Sequence, residues 1–206
     1  SGDRLIVSAP FYDVPGVDAV SANGDRAPGN SGKLFIYDRD ADGHWNQTAS
    51  FLPPAPVAND LMGTAMVMSG DHLLVTTSRI IDGHRWAGAV LVLALDEAGV
   101  WQQIQVIEDV DFAAHNRGLG REIMAGGEQV IMSTGTLSSR VDDGLVVVER
   151  DQDGVWQVVQ RLAHPLGSDA EFGHAFDSDG THLVVRGQIG DPAVRRDFVY
   201  LKDAEG

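Results

Sequence analysis

Cysteine is absent from all 206 residues, so no disulfide framework, thiolate metal site or cysteine nucleophile is available. Positive charge is also scarce. Fifteen Lys and Arg face 30 Asp and Glu, a net charge of -15, so nucleic acid and anionic membrane surfaces are repelled over most of the molecule. No apolar run approaches the roughly 18 residues of a helical membrane span, and membrane insertion is not expected. Ser1 does not open a signal peptide, and the chain reads as a mature or excised segment. What remains is 43% hydrophobic residues, enough for a real core. The acidity fits an extracellular, cell-surface or periplasmic protein and raises the local concentration of cations.

Internal repetition settles the architecture. Trp45, Trp101 and Trp156 lie 56 and 55 positions apart, each two after a glycine (Gly43, Gly99, Gly154) and five after an aspartate (Asp40, Asp96, Asp151). Asp203 and Gly206 begin the same spacing again at the end of the chain. Gly32, Gly88 and Gly144 precede the apolar runs KLFIY, AVLVLAL and LVVVE, whereas RLIVS, HLLVT, QVIMS and HLVVR lie upstream of runs of that kind. Gly63, Gly120 and Gly173 head a further segment in three copies. These runs are short, rich in Val, Ile and Leu, and bounded by Gly and Asp, which predicts strands and little helix. Each repeat therefore holds four strands, a to d: a after the head glycine, b xLxV, c after the second glycine, and d after the Trp.

A period of about 55 residues with four short strands predicts an all-β fold of β-propeller blades. Continuous apolar b and c strands predict sheets covered on both faces, because a lone meander cannot bury its apolar sides. The blade repeats run over 1–52, 53–108, 109–163 and 164–206 as a single propeller segment, starting at b of one blade and ending at c of another. First and last blades are incomplete, which predicts part of a larger, for example seven-bladed, ring. The remaining blades are then one expected partner.

The pattern resembles the FG-GAP repeat family, in its bacterial branch with integrin-α-like blades. Phe172-Gly173 is a full F-G, and Met62-Gly63 and Leu119-Gly120 keep the glycine. Ser8-Ala9-Pro10 stands for G-A-P, and Gly32 to Tyr37 (GKLFIY) matches the third strand, while the later copies have lost the G-A-P. The resemblance implies a propeller, calcium as a cofactor in some blades, and recognition at the cell surface.

Little of the sequence looks like chemistry. DRDADG carries Asp38, Asp40 and Asp42 at the spacing of a calcium loop, but its twelfth position is Ala49 where a bidentate Glu is needed. In the resembled family the calcium loops lie between strands a and b, whereas DRDADG lies between c and d. It reads rather as a hairpin whose Asp accepts backbone N–H groups while Gly supplies positive φ. Asp177 and Asp179, in an a–b turn, are the second candidate calcium pair, with an Asp-Gly tight turn as the alternative. The D-x-x-G-x-W mark also resembles the Asp-box of sialidases, but the leading Ser or Thr is missing and the arginines are scattered. APGNSGKL lacks the Gly and the Ser or Thr of a phosphate loop. His72 and His182 recur at the start of b, which suggests a turn or surface role.

In an antiparallel meander, b–c and d–a connections share one face and a–b and c–d turns the other. The longest connection, Ala9 to Ser31, is a b–c loop carrying Phe11, Tyr12, Asp13, Asp18 and Asp25, the expected binding residues. LPPAPVAND and EDVDFAAHNRG join it on that face. The expectation is a non-catalytic module for recognition, adhesion or assembly with a protein or glycan ligand. The alternative is a propeller glycan hydrolase or lyase with a loop-assembled site.

Overall fold

The structure, a computed structural model, describes residues 2–20, 26–27, 29–78, 88–108, 118–126, 128–135, 142–163, 165, 171–189 and 194–202. Sixteen strands and no helix occur among them. The first sheet has three strands in the order β1 (Arg4–Ala9), β4 (Lys33–Arg39), β5 (Trp45–Phe51). Inside its β1–β4 connection a two-stranded hairpin forms from β2 (Ala19–Val20) and β3 (Arg26–Ala27). The second sheet runs β6 (Met66–Ser69), β7 (His72–Thr77), β8 (Ala89–Leu95), β9 (Trp101–Glu108). The third runs β10 (Gly118–Gly126), β11 (Gln129–Gly135), β12 (Asp142–Arg150), β13 (Trp156–Ala163). The fourth holds β14 (Glu171–Ser178), β15 (His182–Ile189) and β16 (Val194–Leu201). A single parallel bridge, Asp143 to Phe172, links it to the third. These are propeller-type blades, and among the described residues the first has no strand a and the last no strand d.

Each core cluster lies between two neighbouring sheets. Leu34, Ile36 and Phe51 of the first meet Leu73, Val75 and Leu91 of the second. Leu74, Val90 and Val92 of the second meet Val130, Met132 and Val146 of the third. Ile131, Leu145 and Val147 of the third meet Phe172, Leu183 and Val185 of the fourth. Adjacent residues on one strand thus serve opposite clusters, because a strand points successive side chains to opposite faces. Burying each such side chain stabilises the fold by roughly 1.5–3 kcal/mol. This explains why the b and c runs of the middle sheets are apolar without alternation.

The expectation of two covered faces holds for the second and third sheets and fails at both ends of the row. Leu5 and Val7 on β1, and Val184, Val199 and Leu201 on the fourth sheet, are exposed. No described sheet lies against those sides. Among the described residues, no helix is long and apolar enough to cross a membrane.

Candidate functional site

The b–c loop of the first sheet and the d–a connection that follows it are joined backbone to backbone. Asn59 N–H donates to the Gly29 carbonyl, Leu61 N–H to Asn30 at 3.0 Å, and Met62 N–H to Ser31 at 3.2 Å. The second sheet's own b–c loop joins through Asp60, whose carbonyl accepts Ser78 N–H at 2.5 Å and the Thr77 hydroxyl at 2.8 Å. Asp60 is itself buried, and its carboxylate accepts Val57 N–H at 3.2 Å. Three connections from two blades therefore form one continuous surface.

The surface is held in an unusual backbone state. Among the described residues, the non-glycine residues with positive φ are Asn30 (47°), Asn59 (67°) and Leu61 (49°), and all three sit at this junction. Asn tolerates that conformation because its short amide bonds locally; Leu does not. A residue held there costs about 1–3 kcal/mol and persists only where its surroundings impose it. Here the imposing contacts are the hydrogen bonds that the same three residues make across the loops.

The expected binding residues divide into three groups. Asp13 is structural, accepting Asn30 N–H at 2.9 Å across the loop. Tyr12 packs edge-on to Phe35 with ring centroids 6.1 Å apart, and Lys33 Nζ stands 4.9 Å from both centroids, a cation–π arrangement. Tyr12 also fixes the loop by accepting Gly32 N–H on its carbonyl at 3.1 Å. Phe11 is 74% exposed and Asp18 is exposed as well, so these two are presented to solvent. Asp25 lies outside the described residues, as do nine of the residues in EDVDFAAHNRG, 109–117.

Four of the five expected calcium residues, Asp38, Asp40, Asp177 and Asp179, accept hydrogen bonds on their carboxylates. Asp38 forms a two-point ion pair with Arg4, at 2.6 and 3.0 Å, and accepts the Thr48 hydroxyl at 2.7 Å. Asp40 Oδ1 accepts the N–H groups of Asp42 and His44, and Oδ2 accepts the Asn46 amide at 2.8 Å. Asp96 and Asp151 repeat that geometry one and two blades on, with Gln102 and Gln157 in place of Asn46. Backbone donors across the turn, from His44, Val100 and Val155, are the leading reason that all three carboxyls titrate below the usual aspartate range. Asp40, Asp42 and His44 do offer three ligand atoms within 4.8 Å of one another, all exposed. The two sister hairpins show that the turn forms from the same bonds without that trio.

Asp179 caps the a–b turn of the fourth sheet. It accepts Thr181 and His182 N–H at 2.8 and 2.7 Å and meets His182 Nδ1 at 3.0 Å, which lowers its pKa to about 2. Asp177 accepts only Ser178 N–H among these neighbours. The two carboxylates make separate bonds along the turn.

One role was not foreseen from the chain alone. His72 is buried, and its Nδ1 accepts the indole N–H of Trp156 at 2.9 Å, from one blade to the next. Of the expected turn or surface role, His182 is exposed, whereas His72 closes the a–b turn opposite Ser69 but is buried, so a surface role is wrong for it. Asp71 stands 3.8 Å from His72 Nε2 and is bound by Arg150 at 2.8 Å. The recurrence of His at the start of b, together with Trp at the start of d, was the available signal. It lacked the information that d of one blade reaches b of the preceding one.

No family model matches the chain. It is 29% identical over 189 residues to N-acetylneuraminate epimerase of Brucella melitensis, across 82% of this chain and 46% of that protein. The N-acetylneuraminate epimerase of Brucella suis gives the same figures. The chain spans less than half the length of these curated relatives. Among solved structures, a protein from Lactobacillus plantarum superposes with a TM-score of 0.59 at 15% identity, covering 91% of this chain and 60% of that one. That similarity concerns the fold.

Proposed function

We propose that this propeller module recognises a glycan through the b–c/d–a loop face, serving recognition, adhesion or assembly outside the cytoplasm. One observation carries the reading: all non-glycine residues of positive φ among those described gather at the junction of these loops. Strain collected in one place, on a rigid scaffold, is the usual mark of a surface shaped for a ligand. Phe11, exposed beside the Tyr12–Phe35 pair, supplies an aromatic platform of the kind sugar rings stack on. The relatives named for N-acetylneuraminate favour a sugar over a protein ligand.

The test is titration of the chain with N-acetylneuraminate and with neutral sugars, followed by amide NMR. Shifts are expected at Phe11 to Asp13 and Asn59 to Leu61, with Phe11→Ala weakening binding about fivefold, the effect of roughly 1 kcal/mol. Saturable binding at the c–d hairpins, or none at millimolar sugar, would overturn the reading. The relatives' name also favours a second reading, catalysis on such a sugar. Loss of one anomer signal of N-acetylneuraminate, faster with protein than without, would decide for it.

A further inference from the structure

Lysine occurs in this chain only as Lys33 and Lys202. Lys202 Nζ stands 3.5 Å from Glu149, and Arg4, Arg150 and Arg186 each have an aspartate partner. Lys33 has no carboxylate partner among the described residues. Its ammonium faces the rings of Tyr12 and Phe35 instead, with each centroid 4.9 Å away. In a chain with 30 Asp and Glu and a net charge of -15, such a cation is an exception. The rings attract the ammonium through their quadrupoles but offer no oxygen to its three donors.

The backbone sets this cation on the loop face. Lys33 is the first residue of β4, and its register partner is Ala9, the last residue of β1. Beyond that pair the chain turns at once. Tyr12 N–H donates to the Ala9 carbonyl at 3.0 Å, closing a four-residue turn with Pro10 second and Phe11 third. Gly32 N–H, on the other strand, ties the turn down through the Tyr12 carbonyl at 3.1 Å. The tip of the turn thus carries the exposed Phe11, Tyr12 lends its ring to the ammonium, and Lys33 lies at the base. Asp13, the acid that follows the turn, is engaged by Asn30 N–H at 2.9 Å and makes no ion pair with Lys33. All of these groups come from residues 9–35, one loop and the two strands it joins.

We propose, on the reading of this face as a glycan surface, that its ligand is a carboxylated sugar and that Lys33 selects for the acid. The apolar face of the sugar ring lies on Phe11, and the carboxylate accepts an N–H from Lys33. A neutral sugar gains the stacking without the ion contact. The two rings hold the ammonium before the ligand arrives, so less side-chain entropy is lost on binding than an unrestrained lysine would lose. The molecule's net charge repels an acid at a distance. Selection for one therefore needs a cation held at contact range, well inside the roughly 8 Å over which charge acts at physiological salt.

The test compares N-acetylneuraminate with its methyl ester, the same sugar without the charge, by titration of the 206-residue chain. The acid should bind about tenfold more tightly, the scale of one charge-assisted hydrogen bond, and the gap should narrow as salt rises. Lys33→Met should abolish the gap, leaving the ester's affinity unchanged, whereas Lys33→Arg should keep it. A second readout uses the unsubstituted sequence, with both lysines carrying ¹³C-methyl groups that preserve their charge. The Lys33 methyl signal, assigned by its loss in Lys33→Arg, should move with the acid and stay with the ester, and the Lys202 signal should move with neither. Equal binding of acid and ester, a gap that survives Lys33→Met, or movement of Lys202 alone would overturn the proposal. Equal binding at Phe11 to Asp13 would leave the glycan reading standing without it, whereas no binding of either sugar at millimolar concentration would remove both.

Discussion

His72 joins two blades through a single proton. Trp156 donates its indole N–H to Nδ1, so the acceptor must be the neutral imidazole. Burial, then the Arg150 charge, pushes the pKa of His72 below the ordinary histidine value, and Asp71 opposes them more weakly. The unfolded chain therefore binds a proton at a higher pH than the folded one. Stability should be complete above the ordinary histidine pKa of about 6.5 and fall as pH drops below it. Trp156→Phe should cost about 1–3 kcal/mol at pH 7.5 in urea unfolding, since the buried Nδ1 loses its donor. Across pH 7.5 to 5.5, His72→Gln should flatten this part of the slope. An equal slope in that variant would mean that His72 is not the titrating group.

At the scale of the strand, the head glycines show how much the chain spelled out and where it stopped. Gly120 has φ of +77°, and a Cβ added there would come 2.5 Å from Thr76 Cγ2 of the preceding blade. Gly63 has φ of +92° and meets Ser8 in the same way at 2.6 Å. Spacing alone identified these glycines as the heads of strand a, and with them the four-stranded repeat, the incomplete first and last sheets and the hairpin role of Asp40. It did not say that the glycine is needed for contact between blades, because that contact lies about 44 residues away in sequence, from Thr76 to Gly120. The β2–β3 hairpin was likewise invisible, as two residues a side carry no periodicity. The positive φ of Leu61 left no trace in a residue type that avoids it. Gly120→Ala should therefore cost at least about 1–3 kcal/mol from backbone conformation, plus a steric part. Thr76→Ser in the same chain should recover only the steric part, and a melting curve for each variant separates the two. Full recovery by Thr76→Ser would show that the conformation is not strained for alanine.

For the whole molecule, the unequal treatment of its sheets sets its behaviour in solution. Leu34 and Ile36 of the first sheet are buried by the second, whereas Leu5 and Val7 on the reverse side stay in water. At the other end Val199 and Leu201 are 64% and 68% exposed, and Val184 lies opposite Val199 across β15 and β16. Trp45 completes the comparison. It is 44% exposed where Trp101 and Trp156 are 8% and 4%, because no described blade stands before the first one for it to lean on. The repeat thus builds each blade with two adhesive faces, and among the described sheets the outer face of the first and of the fourth is left unmatched. A net charge of -15 opposes association at long range but is screened within about 8 Å at physiological ionic strength, while apolar burial is not. The 206-residue chain should therefore associate as concentration and salt rise, in head-to-tail fashion, since the two end faces differ. Sedimentation velocity from low to high salt should show the weight-average mass climbing. Val199→Lys with Leu201→Lys should hold it near the monomer, at little cost in stability because both side chains are already in water. A mass that stays monomeric in the unmodified chain at high salt would mean that these faces do not adhere by themselves.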